Sequence, residues 1–193
     1  IYLAKKFESW INEEDIICRL GGDEFILLHP NADESEVKSY AKSFLKLFDQ
    51  PCKVDEKQIY VTVSMGIALY PKDGIDADTI LKNADAAMYK AKELGKNRFE
   101  LFNQEMYLKL ERKTHIERIL RTAIENDEFI INYQPQYDAQ NNRIFGFESL
   151  LRLISKELGF ISPLEFIPIA EEYGHITKIG QWVINESCKQ AVK

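Results

Sequence analysis

The chain has 193 residues, 45% hydrophobic and 29% charged, which is enough apolar material for one core or two modest ones. Asp and Glu outnumber Lys and Arg by 31 to 25, so nothing favours electrostatic binding to a nucleic-acid polymer or an anionic membrane, which would need a basic surface. The sequence shows neither a signal-peptide pattern nor an apolar run of transmembrane length, so a cytoplasmic location is expected, with any membrane anchor supplied by segments outside it.

In chain order, Tyr2, Leu3, Phe7, Trp10 and Ile11 form a helical stripe. "DIICRL" then predicts a strand, "GGDE" a turn, and "FILLH" the hairpin partner. Asp33 is placed to cap a helix whose apolar face holds Val37, Tyr40, Ala41, Phe44, Leu45 and Phe48. "CKVDEKQIYVTVSMGIALYP" predicts a short strand, a polar turn and one long alternating strand. A second amphipathic helix follows, with Asp76 as its cap and Gly95 as its stop, and "NRFELF" predicts a closing strand. Strands mixed with helices in this way predict an α/β class, with an α+β sandwich over residues 1–102.

Residues 103–127 predict one connector helix, charged early and apolar later at Ile116, Ile119, Leu120, Ala123 and Ile124. From 128 to 193 the pattern is two strands, "EFIINYQPQYD" and "RIFGFESLLRL", then two helices. Two strands followed by helices suit the opening of a (β/α) barrel, whose full form needs roughly 250 residues. The chain opens and closes inside helical patterns without caps, so a fragment of a larger protein is expected.

Cys18, Cys52 and Cys188 are distant and odd in number, and they predict buried thiols in a reducing compartment. They make no zinc motif with His29, His115 and His175. The tip "GGDE" is more distinctive. A hairpin turn uses glycine for positive φ but gains nothing from two adjacent acids, which repel. The combination suits a backbone approached by phosphates and a divalent cation, the plain alternative being a tight turn with solvated acids.

"RLGGDEF", "VTVSMGIALYPKDG" and "NADAAMYKAKELGKNRF" resemble the later part of a GGDEF domain, the diguanylate cyclase fold. "FIINYQPQYD", "GFESLLRL" and "SPLEFIPIAEEYGHITKIGQWVI" resemble the opening of an EAL domain, the cyclic di-GMP phosphodiesterase barrel. The resemblance implies that Gly21 and Gly22 let GTP phosphates approach, while Asp23 and Glu24 are catalytic acids that ligate Mg²⁺ or Mn²⁺. Lys92 and Lys96 sit at i and i+4 and are expected on one helical face, and the resemblance implies that they are a phosphate-binding pair, a solvated face being the plain alternative. In the second unit it implies Glu148 as a catalytic metal ligand at a barrel-strand end, with Gln134 and Arg152 contacting substrate. The plain alternatives are an exposed strand charge for Glu148 and a surface ion pair for Arg152.

Ser149 stands where the EAL signature has alanine, which leaves Glu148 in position. Glu171 also falls in a family motif, where a helix-surface role is the equal alternative. The family's R-x-x-D product-binding motif reads "NEED" here, so Asn12 replaces its arginine and Asp15 remains. The expected function is cyclic di-GMP turnover: synthesis from two GTP, hydrolysis to linear pGpG, or both, with a homodimer in a cyclase parent. Further ligands of both sites fall outside these residues, so neither reaction is expected to run efficiently on them alone. The alternative is an inactive receptor or scaffold for GTP or cyclic di-GMP.

Overall fold

A computed structural model describes residues 6–7, 10–54 and 57–192, with the side chains of 53, 54 and 57 left aside. The expected first helix lies mostly outside the described residues. The chain divides into two units, Ile1–Tyr107 and Leu108–Lys193. The mixed α/β class expected from the sequence is what the structure shows. No helix among the described residues is long and apolar enough to cross a membrane.

In the first unit, strands β1 (Ile16–Gly21) and β2 (Glu24–Leu28) form an antiparallel hairpin. Helix α1 (Glu34–Lys46) starts at Asp33, whose carboxylate accepts from the Ser35 and Glu36 N–H groups while Glu36 accepts from the Asp33 N–H. This capping box satisfies backbone donors that a helix start otherwise leaves bare. Phe44 and Phe48 then meet Phe7 in a small aromatic core, with Trp10, Ile17, Phe25 and Met65 packed against it. The Phe7 and Phe25 rings meet edge to face at 4.9 Å, a favoured aromatic geometry.

The long strand expected after Cys52 is interrupted. Strands β3 (Cys52–Val54) and β4 (Lys57–Ile59) pair with each other, whereas β5 (Ser64–Ile67) pairs in parallel with β6 (Arg98–Leu101). Residues 60–63 have strand-like composition but join neither ladder among the described residues, and propensity does not replace a pairing partner. Helix α2 (Ala77–Glu93) connects β5 to β6 and buries Ala86, Ala87 and Ala91. These small residues permit close helix–strand packing. A methyl group added at Gly66 would stand 1.9 Å from the Ala84 carbonyl oxygen and 2.2 Å from the Met88 nitrogen.

Helix α3 (Gln104–Leu120) ends before the expected 127, and turns follow it. In the second unit, β7 (Phe129–Asp138), β8 (Arg143–Ser155) and β9 (Gly159–Ile161) form an antiparallel sheet in that order. The three-residue β9 was not anticipated from the sequence. Helices α4 (Pro163–Glu172) and α5 (Ile176–Ala191) complete the unit. Its core joins Ile116, Ile119, Leu120 and Ala123 to Phe129, Leu153, Ile161 and Phe166. The later half of α3 is also held to this unit by charge: Lys113 meets Glu172 at 2.6 Å, and Arg112 grips Glu165 through two guanidinium nitrogens. The three cysteines are free, but Cys18 and Cys188 are exposed, so the expectation of burial holds only for Cys52.

Candidate functional site

The tip of the first hairpin is a two-residue turn, because Gly21 pairs with Glu24. Gly22 takes φ +50°, and Asp23 keeps an ordinary negative φ. Glycine at the first central position is what a type II′ turn needs. Gly21 is different: it has no positive φ, and a Cβ built on it meets nothing within 4 Å. The fold itself therefore does not require glycine at 21.

Asp23 and Glu24 are both exposed. Neither carboxylate makes a hydrogen bond or ion pair among the described residues. The ladder is irregular between Arg19 and Gly21, as at a β-bulge. From there the Arg19 guanidinium reaches the tip, where Nε donates to the Gly22 carbonyl at 3.0 Å and Nη2 donates to the same oxygen.

A second cluster closes the base of the hairpin. Asp15 accepts from the Asn12 N–H at 2.7 Å, from His29 Nδ1 at 2.6 Å and from the Tyr40 hydroxyl. The His29 and Tyr40 rings stack at 4.1 Å. Burial acts to raise the Asp15 pKa, but the hydrogen bonds from His29, Tyr40 and Asn12 outweigh it and hold the carboxyl below its usual range. Burial and the neighbouring Asp15 push the Tyr40 phenol well above its usual value. Sequence reading noticed Asp15 only as part of a motif and missed its partners, which lie 14 and 25 residues away.

Lys92 and Lys96 do not share a helical face, which corrects the expectation from their spacing. Helix α2 stops at Glu93, and Gly95 at φ +105° reverses the chain. The Lys96 N–H donates to the Ala91 carbonyl and the Gly95 N–H to that of Lys92, closing a Schellman motif. Lys96 thus lies beyond the helix, at φ +61°. Both lysines are exposed.

In the second unit, Gln134 and Glu148 are direct cross-strand partners, and Arg152 stands opposite Ile130. Positions 148 and 152 share a face of β8, separated by roughly 13 Å along the strand. Ser149 points the other way, onto α5, where its hydroxyl meets that of Ser187 at 3.0 Å. Glu148 and Gln134 therefore occupy the sheet face away from that helix, and both are exposed. Glu148 is mid-strand within the 13 residues of β8, not at a strand end, because antiparallel pairing with β7 prolongs the strand. Arg152 is half-buried and donates through Nη1 to the Leu151 carbonyl at 2.9 Å.

The oxygen donors Asp23, Glu24 and Glu148 suit a hard divalent cation. No group of three or more His, Cys, Asp or Glu among the described residues is arranged to hold a metal by itself. Asp23 and Glu24 in the first unit, and Glu148 separately in the second, therefore fit only as part of a coordination sphere in each unit, with substrate, water or further groups supplying the rest.

Two family models match in tandem: the diguanylate cyclase GGDEF domain over residues 1–98 and the EAL domain over residues 117–193. The chain belongs to the tandem GGDEF–EAL family. It is 40% identical over 192 residues to the signaling protein YkoW of Bacillus subtilis, covering 98% of this chain and 24% of that protein. It is 36% identical over 190 residues to MucR of Pseudomonas aeruginosa, a bifunctional diguanylate cyclase/cyclic di-GMP phosphodiesterase, covering 98% of this chain and 28% of MucR. The chain thus spans about a quarter of the length of these relatives. Among solved structures, the GGDEF domain of TpbB (YfiN) from Pseudomonas aeruginosa aligns with TM-score 0.53 and 29% identity, over 56% of this chain and 64% of that one.

Proposed function

We propose that this chain serves cyclic di-GMP turnover, its first unit in synthesis from two GTP and its second in hydrolysis to linear pGpG. The observation that carries the reading is Gly21. The fold leaves room for a side chain there, yet the position holds glycine beside two unpaired acids. Close approach of a ligand to the backbone supplies the missing reason.

In this reading Gly21 and Gly22 admit GTP phosphates, and Lys92 and Lys96 act as point charges towards them. Asp23 and Glu24 hold Mg²⁺ or Mn²⁺, which neutralises phosphate charge and polarises the reacting group when bound. Gln134 orients the cyclic dinucleotide, Arg152 contacts its phosphate, and Glu148 contributes to a second cation site. Joining two GTP requires two loaded units face to face, so synthesis implies a homodimer. Unpaired, exposed Asp23, Glu24 and Glu148 favour turnover over an inactive receptor.

The test is Mg²⁺–GTP binding by wild type and Gly21→Ala. The variant is expected to keep its melting temperature and lose about tenfold or more in affinity. Equal affinity would remove the support that Gly21 provides.

A further inference from the structure

The Arg19 guanidinium does not pair with either acid at the tip among the described residues. Two of its nitrogens instead converge on one backbone oxygen, the Gly22 carbonyl. A trans peptide is planar, so its C=O and N–H point in opposite directions. With the Gly22 carbonyl turned towards Arg19, the N–H of the same peptide, which belongs to Asp23, points away from it. That N–H has no backbone acceptor among the described residues.

We propose that Arg19 is a positioning residue of the hairpin tip: by holding the Gly22 carbonyl it turns the Asp23 N–H outward as a donor for a phosphate oxygen. It also leaves the Asp23 and Glu24 carboxylates unpaired for a cation. The phosphate half of this inference rests on the nucleotide reading above, but the orientation half does not. A II′ turn with one glycine can rotate its central peptide at little cost, since glycine tolerates both signs of φ. A fork anchored on β1 removes that freedom, and the chelating geometry needs arginine's planar set of donors. Lysine would retain the charge but lose the fork.

The experiment compares wild type, Arg19→Lys and Arg19→Gln in the natural protein that carries both units. The first measurement is NMR of the Gly22 and Asp23 amides in the free protein. The second is Mn²⁺–GTP affinity, followed by paramagnetic broadening at the same amides. Both variants are expected to shift the Gly22 and Asp23 signals and to weaken Mn²⁺–GTP by about tenfold. Melting temperatures should stay within about 2 °C, because the group is exposed. If Arg19→Lys binds like wild type, charge alone matters and the positioning role is overturned. If neither variant moves the two amides, Arg19 does not orient the turn and the proposal fails. If wild type itself binds no Mn²⁺–GTP, the nucleotide reading fails and the phosphate role of the Asp23 N–H falls with it; the amide shifts still decide the orientation role.

Discussion

The Asp15 carboxylate stands 2.6 Å from His29 Nδ1, joining the residue just before β1 to the residue just after β2. An ionised carboxylate can only accept, so this histidine nitrogen carries the proton. Tyr40 of α1 donates to the same carboxylate, which ties the hairpin base to the helix. Three partners within the unit thus engage the one acid of "NEED" that the family's product-binding motif would use. Together with Asn12 in place of arginine, this gives Asp15 an internal structural role.

The Asp15 side chain is fully buried. Asp15→Ala should destabilise the first unit by about 2–3 kcal/mol, because Tyr40 and the Asn12 N–H lose their acceptor. Denaturant unfolding at neutral pH measures it.

The acid side of the stability curve follows from the same residue. Its folded pKa is depressed, so its contribution is complete above the unfolded value, about 3.9 for Asp. It is lost as pH falls from there through the lower folded value. Asp15→Asn should flatten this part of the stability curve. Melting temperature against pH, for wild type and variant, is the check.

Gly66 and Gly21 should respond oppositely to alanine. At Gly66 the new methyl meets backbone atoms of α2 at 1.9 and 2.2 Å, so strand and helix must part. A cost of about 3 kcal/mol or more is expected. At Gly21 nothing stands within 4 Å, and stability should change by no more than about 0.5 kcal/mol. Chemical denaturation of the two variants side by side reads the difference.

Phe166 is fully buried in the second unit's core. Phe166→Ala should cost about 3–5 kcal/mol and raise hydrogen exchange in β7, β8 and α5. Slow exchange retained in those elements would contradict that core.

The parts of this fold legible in the sequence were those with local causes. Asp33 and Asp76 cap helices as expected, and Gly95 ends one, because capping uses residues within one turn. The hairpin at Gly22 and the paired strands β7 and β8 were equally readable from turn residues and apolar runs. What escaped depended on distant partners. Strand β9 exists through three pairings with β8, and residues 60–63 fall out of a strand for want of such pairing. The Lys92–Lys96 spacing misled because the Gly95 stop lies between them. Arg19 was invisible because its partner is a backbone carbonyl, which no residue type announces.

The most direct test of turnover is product analysis on the natural protein that carries both units, supplied with Mg²⁺ and either GTP or cyclic di-GMP. Wild type should yield cyclic di-GMP from GTP and linear pGpG from cyclic di-GMP. Asp23→Asn should lower synthesis alone, and Glu148→Gln hydrolysis alone, each by about a hundredfold or more. No turnover of either nucleotide by wild type, or full activity in both variants, would contradict the account.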